Sequence, residues 1–142
     1  MAAGPRGIAV RVLTPIERVT TVERSKFVAV LAPLGAPDQI ERLLKARRSA
    51  VRRANHHCWA YRLRDDAGLV VERMKDDGEV GHPGRVLLEV LRKHDIEGAL
   101  VVSRVFGGIK LGVGGVSRAF REAAEGVVAA AAAPSTPAAT GR

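Results

Sequence analysis

The sequence predicts an α+β two-layer sandwich, a mostly antiparallel sheet with helices on one face. Three observations lead there. The segment "GALVVSRVF" (98–106) is a continuous apolar run, as expected of a central strand buried on both sides. The segments "HHCWAYRLR" (56–64) and "GLVVERMK" (68–75) flank the turn residues "DDAG", which is a hairpin signal. Val86, Leu87, Val90 and Leu91, and later Val116, Phe120, Ala123 and Val127, repeat at helical spacing. Helices with one apolar stripe bury it against a sheet, which makes two layers.

Residues 1–15 are expected to hold a flexible N-terminus with room for a leading strand. "RSKFVAVLAP" (24–33) reads as a largely buried strand closing at Pro33, and a turn follows around Gly35. A helix opens near Pro37 and Asp38, since proline is tolerated in a first turn. Ile40, Leu43, Leu44 and Val51 share its apolar arc, opposite Arg42, Lys45, Arg52 and Arg53. Arg47 projects into that arc, so either its stem packs while its head snorkels out, which is the favoured reading, or the helix ends early. After the hairpin comes the polar loop "DDGEVGHPG" (76–84), then a helix from about Pro83. His94 continues the apolar face of that helix as a core or helix-end residue. Residues 16–133 are expected to form one domain, and 134–142, rich in Pro, Ser and Thr, a disordered tail.

No run of about 18 apolar residues occurs, and "MAAGPRG" has no apolar signal-peptide segment, so neither membrane nor export is expected. Cys58 is the one cysteine; it has no disulfide partner and no zinc-finger spacing, and packing is its expected role. These features predict a cytoplasmic protein without metal or cofactor. Charge points to a partner. Lys and Arg number 23 against 15 Asp and Glu, for a net charge of +8. Such a balance favours polyanions. "RLLKARRSAVRR" (42–53) holds six basic residues and no acidic one, while Asp65, Asp66, Glu72, Asp76, Asp77 and Glu79 gather downstream.

The least ordinary stretch is "RVFGGIKLGVGGVSRAF" (104–120), with five glycines in nine residues between a strand and a helix. Neither the Walker A string nor the dinucleotide fingerprint is present. Two readings stay open. In one, backbone amides at Gly107, Gly108, Gly112, Gly114 and Gly115 cradle a phosphate, with Arg104, Lys110 and Arg118 supplying charge and Ser117 a hydroxyl. In the other, the glycines supply positive φ angles and close helix–sheet packing.

"DDGE" (76–79) also has two readings. Asp76, Asp77 and Glu79 would hold Mg²⁺ or perform acid–base chemistry if Gly78 let them converge; otherwise the segment is an ordinary polar turn. His56 and His57 are neighbours in an extended segment and point to opposite faces, so at most one enters a cleft. Trp59 and Tyr61 share a face, available for core packing or base stacking.

Taken together, "NHHCWAY", "DDGEVGHPG" and "ALVVSRVFGGIKLGVGGVSRAF", with "RSKF" near the start, resemble the IMPACT family, of which the bacterial YigZ proteins are members. The resemblance runs from about Arg24 to Ala130, and implies an isolated N-terminal IMPACT domain without the second, ferredoxin-like domain common in bacterial members. The chain departs from the family pattern after "DDGE", where Val80, Gly81, His82, Pro83 and Gly84 stand in place of a Pro and a Gly-Thr-Ala-Gly continuation. The resemblance implies a fold like domain two of the S-five-class ribosomal protein and the fourth domain of elongation factor G, both associated with RNA. The eukaryotic namesake regulates translation during amino-acid starvation by competing for a general-control activator protein. The resemblance and the charge agree on an RNA- or ribosome-associated binding module linked to translation regulation, binding phosphate at the glycine-rich loop, and favour binding over catalysis. The rivals are a Mg-dependent enzyme acting on a phosphorylated small molecule and a module for a translation-regulatory protein partner.

Overall fold

The structure, a computed structural model, describes residues 10–132; the expectations for residues 1–9 and for the 134–142 tail lie outside them. In chain order the elements are β1 (Val10–Arg11), β2 (Ile16–Val22), β3 (Ser25–Ala32), α1 (Ile40–Ala50), β4 (His56–Arg64), β5 (Val70–Lys75), α2 (Pro83–Lys93), β6 (Ile96–Val105) and α3 (Gly112–Ala132). The sheet order is β2-β3-β6-β4-β5, antiparallel throughout, and β1 pairs in parallel with the first residues of β6. No helix among the described residues is long and apolar enough to cross a membrane.

The apolar run of β6 takes the centre because only there are both faces covered. Leu100 and Val102 face α2 and α3 together with Phe27, Leu31, Cys58 and Ala60, and Phe27 meets Phe120 edge to face with centroids 5.1 Å apart. Ala99 and Val101 face the other way. There Ile40 and Leu44 of α1 pack against them and against Trp59, Tyr61 and Leu63. Helices on one face therefore describes α2 and α3 but not α1. The physical reason lies in β4 and β6, which are apolar on alternate residues of both faces and would leave Trp59 and Tyr61 wet without α1. These two rings stack at 5.8 Å within that core and are buried, so core packing is their role and base stacking is not.

The strand β2, "IERVTTV", lies before the segment from which the sequence reading starts its first strand, although five of its seven residues are β-branched. It forms an edge hairpin with β3 through a two-residue turn in which Glu23 and Arg24 both have positive φ, 47° and 67°. Its presence changes Arg47. The side chain is only 11% exposed, and Nη2 donates to Glu17 Oε1 of β2 at 3.0 Å, so the head is paired rather than snorkelling. Val51 falls just past the end of α1. His94 ends α2, and its Nε2 lies 2.7 Å from a Glu125 carboxylate oxygen.

Candidate functional site

The "DDGE" loop is drawn into a tight corner between β5 and α2, with positive φ at Asp77, Gly78, Gly81 and His82. Its carboxylates diverge. Asp76 Oδ1 accepts the Gly84 N–H at 2.8 Å, satisfying one of the orphan donors at the start of α2. Asp77 Oδ2 accepts the His57 N–H at 2.8 Å. Glu79 turns inward and accepts from Arg104 Nη1 at 3.2 Å, with its side chain only 6% exposed. Among the described residues, no three His, Cys, Asp or Glu side chains gather to hold a metal ion. Each carboxylate accepts from a backbone or guanidinium donor in its own direction, so the three do not converge, while Asp77, Gly78 and Val80 stay exposed.

His56 and His57 part as the strand period requires. The Asp77 carbonyl lies 2.8 Å from His56 Nδ1 and accepts its N–H, while Nε2 is 3.9 Å from Glu79. His57 faces the α1 side, with Nδ1 2.7 Å from Ser103 Oγ, on a hydroxyl that is fully buried. Partial burial lowers the His57 pKa below its ordinary 6.5; Asp77 opposes the shift, while Arg48, Arg47 and His56 add to it. An imidazole that folds neutral contributes stability that is fully present above 6.5 and declines as pH falls through the lowered value, because the unfolded chain then binds the extra proton. Urea unfolding from pH 7.5 to about pH 5 is therefore expected to show a downward step that His57→Gln flattens. An equal step in both proteins would assign it elsewhere.

Cys58 is buried, and its thiol donates to the Asp76 carbonyl at 3.1 Å. Burial, reinforced by Glu79, Asp77 and Asp76, pushes that thiol far above the ordinary range, which makes it an inert packing group.

Arg104 is enclosed as well. Its guanidinium lies 5.6 Å from the centroids of Phe27 and Phe106, reaches Ser25 Oγ at 3.4 Å, and leaves Nε buried without a partner. Ser25, unremarked in the sequence, is a fully buried hydroxyl that also accepts the Gly107 N–H at 3.1 Å. The only sequence signal was its place beside the "KF" of the strand.

The five glycines do different work. A Cβ on Gly107 would lie 2.1 Å from the Arg24 carbonyl carbon, so this glycine is demanded by packing against the β2–β3 turn. Gly108 and Gly112 have φ of 88° and 73° with open space around them, so they serve chain direction. Gly114 and Gly115 belong to the first turn of α3, where a Cβ on Gly114 would stand 3.3 Å from the Arg118 guanidinium. The conformational and packing reading of the glycines thus accounts for Gly107, Gly108 and Gly112. Ser117 is spent on structure, since its Oγ donates to the Gly81 carbonyl at 2.6 Å and ties the "DDGE" loop to α3. Gly112, Val113 and Gly114 are exposed at the start of the helix, as are Lys110 before it and Arg118 beside it. Among the described residues neither Lys110 nor Arg118 has an ion-pair partner, so this helix start keeps its positive potential.

Comparison with known proteins places this geometry in a family. A family model described as the Impact N-terminal domain matches residues 23–128. The chain is 36% identical over 100 residues to the "IMPACT family member in pol 5'region" of Thermus thermophilus, covering 70% of this chain and 52% of that protein. It is 33% identical over 106 residues to IMPACT family member YvyE of Bacillus subtilis, covering 73% and 48%. To Protein IMPACT of Homo sapiens it is 35% identical over 112 residues, covering 74% and 34%. The chain thus spans about half the length of these bacterial relatives and a third of the human one. Among solved structures, a crystal structure of a hypothetical protein superposes with a TM-score of 0.69 at 26% identity, over 82% of this chain and 57% of that one. The structure of the two-domain translational regulator Yih1 superposes with a TM-score of 0.50 at 27% identity, over 83% and 45%.

Proposed function

This chain belongs to the Impact N-terminal domain family, and from that premise we propose that it is an RNA- or ribosome-associated binding module linked to translation regulation, holding a phosphate at the start of α3. The observation that carries this reading is the open first turn of α3. Gly112, Val113 and Gly114 are exposed residues, and Lys110 and Arg118 stand near them without carboxylate partners among the described residues. The first amides of a helix lack intrahelical acceptors, and the macrodipole adds partial positive charge, so an anion is the complementary ligand. The net charge of +8 supports a polyanion over a small one. Translation enters through the relatives, one of which is described as a translational regulator. The diverging carboxylates of "DDGE" take support away from a Mg-dependent enzyme.

A single-stranded RNA probe followed by fluorescence anisotropy tests this. Lys110→Ala is expected to weaken binding by about 1–3 kcal/mol, the scale of a charge-assisted hydrogen bond, and to leave melting nearly unchanged because the residue is exposed and makes no ion pair among the described residues. Lys110→Ala/Arg118→Ala should weaken it further. Unchanged affinity in the folded double variant would remove the start of α3 from the site.

A further inference from the structure

The α1 helix has eleven residues, a length of about 16 Å, and covers only the β4 and β6 part of its face. Beyond its C-terminus the β2–β3 part of the same face stays open. The result is a groove of about 630 Å³ with Val19, Val28 and Val105 on its floor. The β2–β3 hairpin supplies Arg24 and Lys26 to one wall. The last turn of α1 supplies Arg47 and the turn after it Arg52 and Arg53, and Phe106 lines the groove at 49% exposure.

The charge in this groove is one-sided. Glu17 is its single carboxylate and is already paired with Arg47 at 3.0 Å. Arg24, Lys26, Arg52 and Arg53 are exposed, and among the described residues none has a carboxylate within ion-pair distance. Four like charges on two facing walls repel one another and are relieved by an anion that runs between them.

Arg24 adds a second, independent observation. It occupies a two-residue hairpin turn with φ of 67°, beside Glu23 at 47°, where Asn and Gly are the residues such a turn prefers. A bulky residue held in the left-handed region costs free energy, and such strain concentrates at functional positions. The Gly107 backbone, pressed against the Arg24 carbonyl, holds the turn in place. The chain thus has an arginine, against local preference, at a turn position that lines the groove.

We propose that this groove is the track of a single RNA strand, with backbone phosphates against Arg24, Lys26, Arg52 and Arg53 and a base stacked on Phe106. The proposal rests on the RNA reading above and gives it a path. A cationic groove with an aromatic platform is the chemistry that holds a single strand without reading its sequence.

The test uses a fluorescein-labelled oligouridine of about twelve nucleotides, within the usual site size for such grooves, titrated at several KCl concentrations. Arg24→Gly suits the turn better, so it should melt at or above the parent temperature while the negative slope of log affinity against log salt becomes shallower by about 0.7. Arg24→Gly/Arg52→Gln/Arg53→Gln should make that slope shallower by about 2, the sum of three phosphate contacts. Phe106→Leu should lose several-fold in affinity with the slope unchanged. Parent-like binding by the groove variants, with binding lost in Lys110→Ala/Arg118→Ala, would overturn the groove and leave the RNA reading standing. No binding of oligouridine by the parent at low salt would overturn both. Displacement of the probe by a polyglutamate peptide at lower concentration than by unlabelled oligouridine would overturn the RNA strand as occupant.

Discussion

Glu79→Gln is expected to cost the fold about 3–5 kcal/mol, the range for removing one partner of a buried ion pair. The side chains of Glu79 and Arg104 are 6% and 9% exposed, so neither charge has much water to fall back on. Arg104 is already short of one partner at Nε, and its other nitrogens depend on Glu79 and Ser25. Glutamine keeps the shape and an accepting oxygen but removes the charge, so the loss measures an uncompensated guanidinium rather than a cavity. Glu79→Leu/Arg104→Met should recover most of the loss, because an apolar pair of similar volume needs no counterion. Urea unfolding of the parent and the two variants measures both effects. A Glu79→Gln protein within about 1 kcal/mol of the parent would mean that water reaches the pair.

Gly107→Ala is expected to destabilise by about 3 kcal/mol, at the upper end of the range for overpacking, because its Cβ would sit 2.1 Å from the Arg24 carbonyl carbon and 2.6 Å from the Ser25 nitrogen. These are backbone atoms, so no rotamer relieves the clash. The β2–β3 turn would have to move, and with it the Ser25 hydroxyl that receives the Gly107 N–H and a contact from Arg104. Gly114→Ala provides the contrast. That residue lies in the first turn of α3 without a positive φ, and only the flexible end of Arg118 is near, so alanine should be neutral or stabilise by up to about 1 kcal/mol. Thermal melts of both variants check the pair of expectations. A Gly107→Ala protein that melts with the parent would show that the hairpin turn yields freely.

Much of the fold was legible because its signals are periodic and local. The valine run of β6, the stripes of α2 and α3 and the β4–β5 hairpin each announce themselves within about ten residues. The glycine-rich loop was legible as a feature but not as a mechanism. Sequence spacing shows where glycines stand, yet Gly107 is required by a carbonyl from the β2–β3 turn, eighty residues earlier in the chain, and Gly114 is not required by its backbone at all. The carboxylates of "DDGE" pose the same problem. Three acidic residues in four invite convergence, and only the directions of Gly84, His57 and Arg104 send them apart.

By itself the sequence determined the α+β class, the central place of β6, the family resemblance and the basic surplus, since each follows from residue type and short-range period. Tertiary structure alone decided that α1 crosses to the other face, that Arg47 meets Glu17, that Arg104 is enclosed with Glu79, and that Arg24, Lys26, Arg52 and Arg53 face one groove. Local period says which side of an element is apolar, but a buried charge takes whatever partner the packing brings within about 4 Å, and that partner lies far away in the chain.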